Sequence, residues 1–266
     1  MRVDRGTARD LTLLASVGVL LAAVHFLLPR PSQSALAFHH ADPAPWQFLT
    51  SAYVHASDGH LAGNLLGYAI GAGVSYAFCV QQGRRRWFWT TTLAFLTALP
   101  LLVNLTSFLA FRSLGIEAIS RGFSGVAAGF VGFVLVALAR DVADRHGPGI
   151  GQHVGQGIFI LLLAEVAVIY SGVPSPLISG LLVVGLALSF GSVGLRGLRA
   201  EWTETDRRRV AVEAGFVATT TLLLAVFVWV LFPASLVEGG ETTNIIAHGG
   251  GFVWGVVIAI LLSFIC

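Results

Sequence analysis

Long apolar stretches of about twenty residues alternate along the chain with short segments that carry most of the charge. Such stretches are typical of membrane-spanning helices, because about 20 helical residues cross the hydrocarbon core of a bilayer. The pattern therefore predicts an all-α polytopic membrane protein. We predict eight spans, namely Leu11–Leu28, His60–Val80, Trp87–Phe108, Gly122–Ala139, Val154–Gly172, Pro176–Leu195, Val212–Phe232 and Asn244–Ile265.

The composition supports a membrane location. Hydrophobic residues make up 55% of the 266 residues and charged residues 11%, whereas a soluble domain carries about 25% charged residues. The formal net charge of +2 indicates no nucleic-acid partner. The two cysteines, Cys79 and Cys266, are too few for a disulfide scaffold. Neither they nor the histidines have metal-ligand spacing, so we predict no metal, and the chemistry considered below needs no cofactor.

The arginines predict the orientation of the spans. With the N-terminus inside, the inner segments carry thirteen of the sixteen arginines and the outer segments carry three. The positive-inside rule then predicts a multi-pass protein of the cell membrane with both termini cytoplasmic. An alternative is a cleaved signal peptide, because a basic N-terminus, an apolar run and the SALA at Ser34–Ala37 fit one. Leu11–Leu28 is long for a signal core, which favours a span.

Four polar side chains are predicted at similar depth on the outer side of the membrane. They are His60 and Asn64 in the second span, Ser124 in the fourth and His248 in the eighth. Polar and ionisable residues inside spans are costly and usually functional. His60 and Asn64 are four residues apart, so they share one face of a helix.

A serine and a histidine at one depth suggest a nucleophile and its general base, because a neutral imidazole can take the hydroxyl proton. The amide of Asn64 and the imidazole of His60 could donate to the oxyanion that then forms. Gly122 and Gly125 would let the backbone N–H of Ser124 face the same oxyanion, at a helix N-terminus with a favourable dipole. The structural alternative is that the serine and glycines only form a packing surface, and that each histidine only bonds a neighbouring helix.

Three segments, in this order, resemble the rhomboid family of intramembrane serine proteases. WQFLTSAYVHASDGHLAGN, residues Trp46–Asn64, resembles the family's first outer loop leading into an H-x-x-x-N helix. GFSG, residues Gly122–Gly125, is similar to the family's G-x-S-G. AHGGGFVWG, residues Ala247–Gly255, is similar to its A-H-x-x-G-x-x-x-G. One such motif would be weak, but three in the family's order are specific.

The resemblance implies a rhomboid-like helical bundle and an intramembrane serine endopeptidase. Ser124 would be the nucleophile and His248 the base of a dyad without a carboxylate. His60 and Asn64 would help to form the oxyanion hole. The implied partners are the lipid bilayer and transmembrane protein substrates, cleaved near the outer face of the bilayer.

Four glycines of the same segments would shape this site. Gly251 and Gly255 form a G-x-x-x-G that would let the helix of His248 approach the helix of the serine closely. Gly122 and Gly125 flank the serine itself.

The chain also departs from the family pattern. Gln47 stands where the family's Trp-Arg loop motif has arginine after Trp46. The candidate serine and histidine are 124 residues apart, with three predicted helices between them where the six-helix core has one. We therefore predict a single membrane-embedded domain over residues 1–266, with an inserted helical hairpin and cytoplasmic loops in residues 140–211. The resemblance covers roughly residues 11–140 and 212–266.

Two other functions fit parts of the pattern. A rhomboid-like protein could bind membrane clients without cutting them, although both Ser124 and His248 are present. A transporter or channel could line a path with Glu165 and the histidines, but the chain shows no convincing repeat. We interpret Glu165 instead as a satisfied interior carboxylate, with a relay role as the alternative.

Overall fold

The structure, a computed structural model, describes residues 5–173, 175–199, 203–233, 237–238 and 241–266. Of these residues, 83% are helical. In chain order the elements are α1 (Arg5–Leu27), α2 (Arg30–Leu36), β1 (Phe38–His39), α3 (Gln47–Thr50), a 3-10 turn (Ser51–Tyr53), α4 (Asp58–Gln81), α5 (Arg85–Leu114), β2 (Ile119–Ser120), α6 (Ser124–His146), α7 (Pro148–Ser171), α8 (Pro176–Arg199), α9 (Glu204–Leu231), β3 (Val237–Glu238), β4 (Glu241–Thr242) and α10 (Ile245–Ser263).

All eight predicted spans are confirmed as helices, and three of them, α7 to α9, separate the helices of Ser124 and His248. Within the described ranges, seven helices are long and apolar enough to cross a membrane. The other one, α8, contributes a shorter apolar stretch, Pro176–Gly191, to the same ranges. The protein is therefore consistent with the expected all-α polytopic membrane class.

The chain divides into two compact units, and the division falls within α6. The first unit is Met1–Phe133 with Val237–Cys266, and the second is Val134–Leu236.

The core of the first unit is aromatic and surrounds the beginning of α6. The Phe130 ring packs edge-on against Tyr68 of α4 and Phe95 of α5, with centroids 5.4 Å and 5.1 Å apart. Trp87 of α5 packs against Phe133 at 4.8 Å, and its indole N–H donates to the Ala259 carbonyl of α10 over 3.0 Å. Edge-to-face rings of this kind fill a core at well-defined angles, which fixes α4, α5 and α10 around α6.

The helices α4 and α6 run parallel within this unit. A side-chain carbon at Gly67 would lie 3.6 Å from the Ala127 Cβ, and one at Gly71 would lie 3.0 Å from the Phe130 Cβ. The step from Gly67 to Gly71 along α4 thus corresponds to the step from Ala127 to Phe130 along α6, so the two helices run in the same direction. Since α4 and α6 begin at the same end, their first residues, which include His60 and Ser124, lie on one side of the unit.

The second unit packs α7 against its neighbours at small residues. Gly151 of α7 abuts the Ala139 carbonyl and Ala143 of α6, and Gly157 abuts the ring of Phe190 in α8. At the start of α9, Glu213 lies 2.7 Å from the His146 ring and accepts from Arg209 over 3.2 Å. Glu165 is half-buried in α7. Within the described ranges the Glu165 carboxylate has no hydrogen-bond or ion-pair partner, so the structure does not support the prediction of a satisfied carboxylate.

Candidate active site

The loop before α4 places the first group of candidate residues. Asn104 of α5 donates through its amide to the Phe48 carbonyl over 2.8 Å and to the Ser51 hydroxyl over 2.9 Å. The Ser51 carbonyl in turn accepts from the backbone N–H of Gly122 over 2.9 Å. This loop is therefore joined both to α5 and to the turn that precedes Ser124.

Gln47, which stands where the family motif has arginine, is a structural residue of the same loop. Its side chain is buried, with 6% of its surface exposed. Its amide nitrogen donates to the Ala35 carbonyl over 3.1 Å, while its oxygen accepts from the backbone N–H groups of His39 and Ala44. The glutamine thus ties three stretches of the loop together without a positive charge.

Gly122 is the point where His60 and Asn64 meet the serine turn. Its backbone has φ +120°, a conformation that L side chains rarely adopt. A side-chain carbon built there would lie 2.5 Å from His60 Nε2 and 3.2 Å from Asn64 Nδ2. The structure therefore brings both predicted oxyanion residues against the backbone two residues before Ser124.

The amide of Asn64 is poised as a donor. The side chain is buried, and Nδ2 makes no hydrogen bond to any atom of the described residues. A buried donor without an acceptor costs about 1–3 kcal/mol, so its presence beside a candidate nucleophile needs a reason. An oxyanion that forms only during a reaction would supply the acceptor.

The helices of Ser124 and His248 are in backbone contact. A side-chain carbon at Gly251 would strike the Gly125 carbonyl, and one at Gly255 would strike the Gly129 carbonyl. Both pairs advance together by four residues, so α6 and α10 run parallel and begin at the same end. Such close approach is possible because Gly251 and Gly255 of α10 lack a side chain, whereas a side-chain carbon at Gly125 or Gly129 would meet α10 at ordinary contact distances of 3.4 Å and 3.5 Å.

This packing sets Ser124 and His248 on neighbouring turns. A side-chain carbon at Gly125 would lie 3.4 Å from the carbonyl oxygen of Ala247, so the residues that adjoin Ser124 and His248 are themselves neighbours. His248 is buried, with 8% exposure, whereas Ser124 at the first position of α6 is partly exposed. A residue at a helix N-terminus lies close to unpaired backbone N–H groups and to the positive end of the helix dipole.

His55 is a residue of the site that sequence reasoning missed. Its ring is fully buried, and its Nε2 accepts from the backbone N–H of Phe123 over 3.4 Å. The ring centroid lies 5.4 Å from that of His60 and 6.3 Å from that of His25. Burial, together with the charges that His60 and His25 would carry, lowers the pKa of His55 to about 3, so Nε2 stays an acceptor at neutral pH. Its position only five residues before His60 was the available signal.

Replacing Gly122 with alanine is expected to disrupt the arrangement of His60 and Asn64 against the turn before Ser124. The new methyl group would displace the rings and amides of His60 and Asn64, and the backbone would be strained at φ +120°. Gly115→Ala is the matched control, because Gly115 also has a positive φ, +64°, but a side-chain carbon there meets nothing within 4 Å. Thermal unfolding in detergent should show a stability loss of about 1–2 kcal/mol for Gly115→Ala and a larger loss for Gly122→Ala, which adds the clash with His60 and Asn64. Equal stability of the two variants would contradict the placement of His60 and Asn64.

Within the described residues, no group of three or more histidine, cysteine, aspartate or glutamate side chains could hold a metal ion. Comparison of the chain with protein-family models, with curated proteins and with solved structures gives no match.

Proposed function

We propose that this protein is a rhomboid-type intramembrane serine endopeptidase. The observation that carries the proposal is the contact of α6 with α10 at Gly125 and Gly251, which sets Ser124 and His248 on neighbouring turns. The packing of His60 and Asn64 against the turn before Ser124 adds the donors that acyl transfer requires.

The proposed reaction has two halves. The Ser124 hydroxyl oxygen attacks the carbonyl carbon of a peptide bond while His248 takes the hydroxyl proton. The carbonyl oxygen becomes an oxyanion, which accepts hydrogen bonds from Asn64, His60 and the backbone N–H at the start of α6. The C–N bond then breaks as His248 returns the proton to the leaving amine. Water, deprotonated by the same imidazole, hydrolyses the acyl-enzyme and restores the serine.

The substrate class follows from the location of the site at the ends of apolar helices. The substrates would be transmembrane segments of other membrane proteins, which reach the site from the bilayer. The orientation predicted from the arginines puts this end of the helices at the outer face. A helical peptide bond is shielded by its hydrogen bonds, so cleavage would require small or helix-breaking residues that let the segment unwind.

The proposal is tested by covalent labelling of the purified protein with a fluorophosphonate probe. Such a probe reacts with a serine whose proton is accepted by a neighbouring base, so we expect wild-type protein to be labelled at Ser124. Mass spectrometry should locate the adduct, and a Ser16→Ala variant serves as the control, because that hydroxyl donates to the Leu13 carbonyl of its own helix. Folded wild-type protein that resists labelling but retains transmembrane clients would favour the non-proteolytic binding function instead.

A further inference from the structure

We infer that His40, Ser120 and Asn244 are positioning residues, which hold the beginnings of α6 and α10 in register and thereby align Ser124 with His248. The inference rests on the proposed function. The amide of Asn244 donates to the Ser120 hydroxyl oxygen over 2.9 Å, and the same oxygen is hydrogen-bonded to His40 Nε2 over 2.8 Å. We call this connected set the His40–Ser120–Asn244 bridge.

Asn244 joins the bridge to the helix of the candidate base. Its side-chain oxygen accepts from the backbone N–H of Ala247 over 3.0 Å, so Asn244 is the N-cap of α10. Its amide nitrogen remains available to donate across to Ser120, with a longer contact of 3.4 Å to Ser107 of α5. His248 lies one helical turn after this cap, so the position of Asn244 helps to determine the position of the His248 imidazole.

Ser120 joins the bridge to the turn of the candidate nucleophile. It is the last residue of β2 and lies four residues before Ser124. The strand pairs in antiparallel register with β1, with Phe38 opposite Ser120. Three residues, 121–123, connect Ser120 to α6, so a shift of Ser120 would also move Ser124.

His40 anchors the bridge to the rest of the first unit. Its backbone N–H donates to the Ala118 carbonyl over 3.0 Å, and its ring packs against Phe38 at 4.7 Å and Phe111 at 4.6 Å. The side chain is buried, with 4% exposure. Burial lowers the pKa of His40 to about 4, so the ring is neutral at physiological pH and adds no charge near the site.

The bridge does something that the glycine contacts cannot do. Gly125 and Gly251 allow α6 and α10 to approach closely, but small residues oppose sliding and rotation only weakly, and the bond from Trp87 to the Ala259 carbonyl restrains α10 near its other end. A directional hydrogen bond between Ser120 and Asn244 opposes both movements. Because a misplacement of about 1 Å can reduce a rate by about 100-fold, this restraint bears on catalysis more than on stability.

The test compares Ser120→Ala with Asn244→Ser in a cleavage assay. Ser120→Ala removes the bridge and leaves the cap of α10 intact, whereas Asn244→Ser keeps a good N-cap residue that is too short to reach Ser120. We expect each variant to lower kcat by about 10- to 100-fold with KM within about threefold of wild type, because no substrate contact is removed. The double variant should lose no more than either single variant, and Ser120→Thr should restore most of the rate.

The control is Ser113→Ala, which should leave kcat unchanged, because the Ser113 hydroxyl donates to the Ala110 carbonyl of its own helix. If wild-type protein cleaves substrate and Ser120→Ala is equally active, the inference is wrong and the proposed function stands. If wild-type protein neither cleaves substrate nor reacts with the fluorophosphonate probe, the proposed function fails. Native-state hydrogen exchange then still tests whether the bridge holds the beginnings of α6 and α10 in register. Faster exchange in residues 244–250 of Ser120→Ala would then support the bridge, and unchanged exchange would overturn it.

Discussion

Ser124→Ala and His248→Ala are each expected to abolish cleavage of a model transmembrane substrate while leaving the protein folded. Without the hydroxyl no acyl-enzyme forms, and without the imidazole the hydroxyl keeps its proton. By analogy with soluble serine hydrolases, each loss should exceed about 1000-fold in kcat. The double variant should be no worse than either single one, because the two groups act as a unit.

Two substitutions outside the site control for unspecific effects. Ser16→Ala in α1 removes a hydroxyl that donates to the Leu13 carbonyl of its own helix, and His153→Ala removes a histidine of α7. Both should cleave at the wild-type rate, measured as product per enzyme in proteoliposomes. Thermal unfolding should show intact folding for all four variants. Full activity of Ser124→Ala would show that Ser124 is not the nucleophile.

The helices could be predicted from hydrophobicity, but their ends could not. The fifth predicted segment began at Val154, yet α7 begins at Pro148, directly after Gly147 at φ +93°. Likewise α9 begins eight residues before Val212, because Thr203 and Asp206 form a capping box. Helix ends depend on caps and on glycine conformation, and a hydropathy pattern carries neither signal.

The residues of the candidate site also differ in how far the sequence predicts them. Ser124, His248, His60 and Asn64 could be singled out because polar residues in apolar spans stand out in the sequence. The one sequence signal for His55 is its position five residues before His60, and a histidine in a loop stands out less than one in an apolar span; its burial and its bond to Phe123 identify it in the structure.

The bridge was equally hidden from sequence reasoning. Its contacts, between residues 40, 120 and 244, join three loops that are distant in the chain. The pairing of β1 with β2, the packing of α10 against α5 and the contact of α10 with α6 bring these segments together.

The second large effect is expected at Gly251 and Gly255. An alanine at either position would place its methyl group against the backbone carbonyl of Gly125 or Gly129. Backbone cannot rotate aside as a side chain can, so α10 must move away from α6. Overpacking of this kind costs about 1–3 kcal/mol, and displacement of His248 by about 1 Å should also lower the cleavage rate by about 100-fold.

Gly250→Ala on the same turn of α10 is the matched control. A side-chain carbon there would lie 3.7 Å from the Thr106 side chain, which is an ordinary contact, and alanine favours a helix over glycine by about 1 kcal/mol. We therefore expect Gly250→Ala to unfold at or above the wild-type temperature with full activity. Gly125→Ala should fall between the two, because its nearest neighbour is a methyl group of Val103 at 3.0 Å, which can shift. If Gly251→Ala matched Gly250→Ala in both assays, the close contact of α6 and α10 would be wrong, and with it the observation on which the proposed dyad depends.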